Sequence, residues 1–128
     1  MKHKTEGRSR NVKSAPRSSR RKSEKNELTL WDQASRWYDS LVGSQGTDFQ
    51  KDIIMPGVLR LLDVAKKDRV LDLACGQGVF SRYLSQKGIN VEGLDSSAEL
   101  LKYARTRSGS SIRYHVGDAA DAKNFKED

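Results

Sequence analysis

The stretch Val70-Leu71-Asp72-Leu73-Ala74-Cys75-Gly76-Gln77-Gly78 decides the fold. Residues 69–74 are nearly all apolar and read as a strand covered on both faces. Gly76 and Gly78 then break the run before a helical pattern from Phe80 to Gln86, which Lys87-Gly88 closes with glycine as the stop signal. A glycine-rich turn between strand and helix lets a ligand approach the backbone closely. The helix N-terminus behind it offers unpaired N–H groups.

Two more short runs have strand character downstream, Asn90–Leu94 and Ser111–Val116, the latter being the less apolar. Between them Ala98 to Arg107 reads as a helix, with Ser96 and Glu99 at capping-box spacing. The order strand–helix–strand–helix–strand, with right-handed crossovers, predicts an α/β fold: a parallel sheet with helices packed on it. Upstream, Leu28, Leu30, Trp31, Ala34, Trp37, Tyr38 and Leu41 recur at spacings of three and four and predict a helix. Residues 42–46 read as a loop. A second periodic stretch runs from Phe49 to Ala65, with a kink or a fresh helix start expected at Pro56-Gly57.

An acid stands at each strand. Asp72 lies within the first, Asp95 ends the second and Asp118 follows the third, at intervals of 23 residues. Ligands of open α/β sheets bind outside the carboxyl ends of the strands. Asp95, Asp118 and the loop after Ala74 are therefore predicted to converge on one crevice. Asp95, 19 residues after Gly76, is placed to accept from ribose hydroxyls. Asp118 could accept from an exocyclic amine such as that of adenine, so the set suits a nucleoside ligand. Plainer readings stand beside these. Asp72 could cap the turn, Asp95 and Ser96 could cap the following helix, and Gly117-Asp118 also marks an ordinary turn. Cys75 has no motif that pairs it with a base and reads as a small loop residue, and His115 reads as a strand residue. Trp31, Trp37 and Tyr38 at helical spacing read as core.

Charge divides the chain of 128 residues. Lys and Arg number 24 against 17 Asp and Glu, and the whole net charge of +7 falls in residues 1–27. Residues 28–128 hold fourteen of each sign. The basic segment has only Met1, Val12 and Ala15 as apolar residues, too few to offset the entropy of ordering, and is predicted to be a disordered tail. It could neutralise the phosphates of a nucleic acid, and Arg20-Arg21-Lys22 could serve nuclear localisation. It interleaves no aromatic residue for base stacking, and its plain reading is a solubilising extension. One cysteine excludes a disulfide framework and a Cys-rich zinc site. No run approaches the roughly 20 apolar residues of a membrane span, and no signal-peptide core is present. The expectation is a cytoplasmic protein without a membrane span.

The pattern Asp-x-Ala-x-Gly-x-Gly at Asp72–Gly78, followed by Asp95 and by Gly117-Asp118-Ala119, resembles class I S-adenosylmethionine-dependent methyltransferases over roughly residues 28–122. Trp31 to Asp39 is similar to the helix before the core in small-molecule methyltransferases such as the ubiquinone/menaquinone biosynthesis group. The resemblance implies a Rossmann-like sheet and S-adenosyl-L-methionine as cofactor. It implies a loop through Asp72, Ala74, Cys75, Gly76 and Gly78 around the methionine part. Asp72 would orient that loop or meet the amino group through water. Asp95 would hold the ribose hydroxyls and Ser96 would border the adenine. Asp118 would accept from the adenine amine, the Ala119 N–H would meet a ring nitrogen, and Tyr38 would close over the methionine end. The acceptor implied is a small molecule, and no metal is implied. The family fold has seven strands and this chain ends after the third, so the expectation is an incomplete fold from a truncated product. In it the first strand becomes an unpaired edge, cofactor binding is weak and activity is slight. Two alternatives stay open. One is a nicotinamide-dependent oxidoreductase fragment, against which Ser81 stands where the dinucleotide fingerprint has its third glycine. The other is an RNA-binding or RNA-methylating remnant using residues 1–27.

Overall fold

Helix α1 (Leu30–Val42) starts at a reciprocal cap. The Asp32 N–H donates to Thr29 Oγ1 at 3.1 Å and the Thr29 N–H donates back to Asp32 Oδ2 at 2.7 Å, so orphan donors of the first turn are satisfied. The structure, a computed structural model, describes residues 28–121; the basic segment 1–27 lies outside the described residues. After the loop, a π-helical segment (Gln50–Ile54) leads without a break into α2 (Met55–Leu62), with Pro56 in its first turn and the Met55 N–H donating to the Gln50 carbonyl. The expected fresh start at Pro56 is thus a change of winding. The helix stops at Leu62 rather than Ala65. Asp63 takes a left-handed φ of 47°, and the Ala65 N–H donates to Asp68 Oδ2 at 2.7 Å, which builds a turn in place of another helical turn.

The remaining elements alternate: β1 (Arg69–Leu73), α3 (Val79–Gln86), β2 (Asn90–Asp95), α4 (Ala98–Ser108) and β3 (Arg113–Val116). The three strands are parallel in the order β1-β2-β3, with Asp72 opposite Gly93 and Gly93 opposite Tyr114. β3 is shorter than predicted because Ser111 still belongs to the turn after α4, donating its Oγ–H to the Ser108 carbonyl at 2.7 Å. The cap of α4 also differs from expectation. Ser97, not Ser96, accepts from the Leu100 N–H at 3.1 Å, and Ser96 and Glu99 form no capping box.

Leu84, Ile89 and Val91 pack with Val70 and Phe80 beneath α3, and Leu101, Ala104, Ile112 and Tyr114 pack beneath α4. Register places Val70, Val91 and Tyr114 on one face of the sheet. Two right-handed crossovers that step in the same direction put both helices on that face. Leu71 and Leu73 point the other way and are 42% and 49% exposed, so the strand predicted to be covered on both faces is covered on one. On the open face Glu92 accepts from Arg113 at 2.6 Å and pairs with His115 at 2.8 Å. Among the described residues β1 is one edge of the sheet and β3 the other. Among the described residues no helix is long and apolar enough to cross a membrane.

Candidate functional site

The chain leaves β1 through a loop that needs left-handed backbone three times, at Ala74 (φ 56°), Gly76 (φ 56°) and Gly78 (φ 80°). For Ala74 that conformation costs about 1–2 kcal/mol, so the loop must be held from outside. The Cys75 N–H donates to the Leu94 carbonyl at 3.1 Å, and the Gly76 N–H donates to Asp95 Oδ2 at 2.8 Å. Gly78 is the N-cap of α3, and a Cβ there would lie 2.5 Å from Tyr114 Oη, so only glycine fits. Gly76 is different: the nearest atom to a Cβ would be Tyr38 Cε1 at 3.8 Å. Its bare backbone faces open space.

That space is a cleft of about 280 Å³ at the carboxyl ends of the strands, lined by Trp31, Tyr38, Ala74, Gly76, Leu94, Asp95, Ser96, Leu100, Gly117, Asp118 and Ala119. Seven of the residues singled out in the sequence therefore meet there: Tyr38, Ala74, Gly76, Asp95, Ser96, Asp118 and Ala119. Asp72, Cys75 and Gly78 stand outside the lining. Asp72 accepts from Ser81 Oγ at 2.6 Å; burial raises its pKa, with the Ser81 hydrogen bonds opposing and the charge of Asp95 adding to the rise. Cys75 packs against the Tyr114 cluster, and burial, with the charges of Asp72 and Asp95, pushes its thiol far up. A thiol so held stays protonated and is no nucleophile at neutral pH.

Asp95 is 7% exposed. Its Oδ1 accepts from the Ser97 N–H and its Oδ2 from the Gly76 N–H, each at 2.8 Å. An ionised carboxylate has about four lone-pair sites, so each oxygen can take one further donor from the cleft. The Gly117 N–H donates to the Asp95 carbonyl at 2.9 Å and draws the loop after β3 toward the same point. Asp118 Oδ1 accepts from the Ala120 N–H at 2.9 Å, so the turn foreseen at Gly117-Asp118 is present as well.

Two residues escaped the sequence reading. Helical spacing assigns Trp31 to the core, yet it is 51% exposed and meets Tyr38 edge-on at 5.6 Å on the wall of the cleft. Trp37 is exposed too, whereas Tyr38 is half-buried. α1 meets α4 through Asp32 and Asp39, and Tyr38 and Val42 pack with Met55 and Val79, which leaves the indoles outside. A separation of seven residues, two helical turns, was the available signal that Trp31 and Tyr38 share a face. The second is Asp32, whose Oδ1 accepts from Ser97 Oγ at 2.7 Å and from the Glu99 N–H at 3.1 Å. Burial opposes its ionisation, but the bonds from Ser97, Glu99 and Thr29 outweigh that and hold its pKa at about 2. Asp32 thus fastens the start of α1 to the start of α4, beside the cleft.

Residues 70–128 match the family described as "Methyltransferase domain". The malonyl-[acyl-carrier protein] O-methyltransferase of Pectobacterium atrosepticum is 40% identical over 85 residues, 66% of this chain and 31% of that protein. The ubiquinone biosynthesis O-methyltransferase of Cronobacter sakazakii is 37% identical over 90 residues, 63% of this chain and 35% of that protein. The crystal structure of a TehB-like SAM-dependent methyltransferase from Corynebacterium glutamicum aligns with a TM-score of 0.50 at 31% identity, covering 70% of this chain and 46% of that one. The chain spans about a third of the length of these curated relatives. With its three parallel strands in the order β1-β2-β3, the glycine loop after β1 and acids at the ends of β2 and β3, the chain resembles the class I S-adenosylmethionine-dependent methyltransferases and carries part of a Rossmann-like fold.

Proposed function

We propose that the cleft binds S-adenosyl-L-methionine and that the chain serves methyl transfer to a small-molecule acceptor. One observation carries the reading: the open backbone of Gly76 and the acids Asp95 and Asp118 face a single cleft. Asp95 has acceptor capacity left for ribose hydroxyls after its two backbone bonds. Ser96 and Ala119 would border the adenine, with Asp118 accepting from its amine. Ala74, Gly76 and Tyr38 would surround the methionine end, and Trp31 extends that apolar wall. Asp72, Cys75 and Gly78 would act from behind the loop, by shaping it. When bound, the cofactor supplies an electrophilic methyl group on a sulfonium sulfur. The protein's share is to align the reacting groups and keep water out. The ubiquinone biosynthesis relative supports a small-molecule acceptor. The relatives matched are methyltransferases, which leaves the nicotinamide reading without support. The nucleic-acid reading rests on residues 1–27, outside the described residues.

The test is calorimetric titration of the chain and its Asp118→Ala variant with S-adenosylhomocysteine. Losing one hydrogen bond from a charged acceptor, about 1.5 kcal/mol or more, should weaken binding roughly tenfold. Equal affinity for both would remove Asp118 from the site.

A further inference from the structure

Gln77 lies between the two glycines of the loop, is 1% exposed, and has no place in the cleft lining. Every polar atom of its side chain is engaged with a different element. Nε2 donates to the Gly43 carbonyl at 2.6 Å. Oε1 accepts from Arg107 Nη1 at 2.7 Å and from Arg82 Nη2 at 3.0 Å. Its backbone carbonyl also accepts from Arg82 Nη1 at 2.6 Å. Arg82 reaches on to the Ser44 carbonyl at 2.8 Å, and Arg107 grips Asp39 through both guanidinium nitrogens, Nη2 to Oδ2 at 2.7 Å. Gln77 thus joins the loop to the end of α1 at Gly43, to α3 through Arg82 and to α4 through Arg107.

Two features tie this junction to the cleft. Ala74 in the loop takes a left-handed φ of 56°, which a residue other than glycine keeps only when its surroundings impose it. The end of α1 that Gln77 holds follows Tyr38, the residue standing over Gly76. Loosening Gln77 frees the loop and the aromatic wall together. We infer that Gln77 is a positioning residue for the methionine end of the cofactor, fixing the glycine loop against the end of α1; this rests on the cofactor reading above. The adenosine end rests on Asp95, which the Ser97 N–H holds as well as the Gly76 N–H, and on the loop after β3.

The experiment measures S-adenosylhomocysteine and adenosine affinities side by side on the full chain, its Gln77→Ala variant and its Gln77→Glu variant. Glutamate keeps both oxygens toward the two arginines and loses the donor to Gly43. Each variant should bind S-adenosylhomocysteine about tenfold or more weaker while adenosine changes less than about twofold, the pattern of lost orientation at one end. Equal weakening of both ligands, or of neither, overturns the inference. If only the glutamate variant folds, it decides alone. If neither folds, Gln77 is a stability residue and the inference falls. Wild-type chain that binds neither ligand would instead sink the cofactor reading itself.

Discussion

Asp32 shows how much one side chain carries here. Its carboxylate closes the cap of α1 through Thr29 and fastens that helix to α4 through Ser97 and the Glu99 N–H. Because folding lowers its pKa from 3.8 to about 2, the carboxylate contributes stability that is fully present above about pH 4. That contribution is lost as pH falls through about 2. Urea unfolding at pH 7 and between pH 4 and pH 2 should show the wild type losing stability over the acid range more steeply than Asp32→Asn. Parallel slopes would deny the latch. Asp32 was not legible as a site-shaping residue, because its partners lie more than sixty positions away and no local pattern announces them. Asp95 was legible, since the end of an α/β strand is where such sheets bind ligands. The sequence could not disclose that two backbone N–H groups already occupy its carboxylate.

At the scale of elements, periodicity and apolar runs located the helices and strands of the described residues, and chemistry decided the boundaries. The second helix ends three residues early because Asp63 turns left-handed and Asp68 captures a backbone N–H. The cap of α4 is Ser97, since the Ser96 of the sequence pattern faces the cleft instead. The apolar run of β1 has the composition of a parallel strand buried on both faces. Composition reports what a strand is suited to contact, whereas coverage depends on which side the crossovers place their helices. The consequence is an edge strand with Leu71 and Leu73 on an open face. Such an edge invites pairing with other chains, and a charge on it opposes that. Leu73→Lys should reduce concentration-dependent light scattering while leaving stability within about 0.5 kcal/mol, as for other surface substitutions. Unchanged scattering would mean that this face is not where the chain associates.

Across the described residues the sheet is open on one side, with α3 and α4 on the other and a cleft at the carboxyl ends of its strands. The glycine loop and the acids of β2 and β3 are set within it by crossovers of regular length, which is why their spacing alone placed them together. α1 closes the cleft, latched at one end by Asp32 and at the other through Gly43, Gln77 and the Asp39–Arg107 pair. That closure depends on long-range polar contacts and was the part hidden from the sequence. The central claim is that this cleft is a nucleoside-sulfonium site rather than a dinucleotide site. Titration calorimetry of the chain with S-adenosylhomocysteine, repeated in the presence of excess NAD, tests it most directly. The account predicts saturable binding at one site that NAD leaves unchanged. Absence of binding, or displacement by NAD, would contradict it.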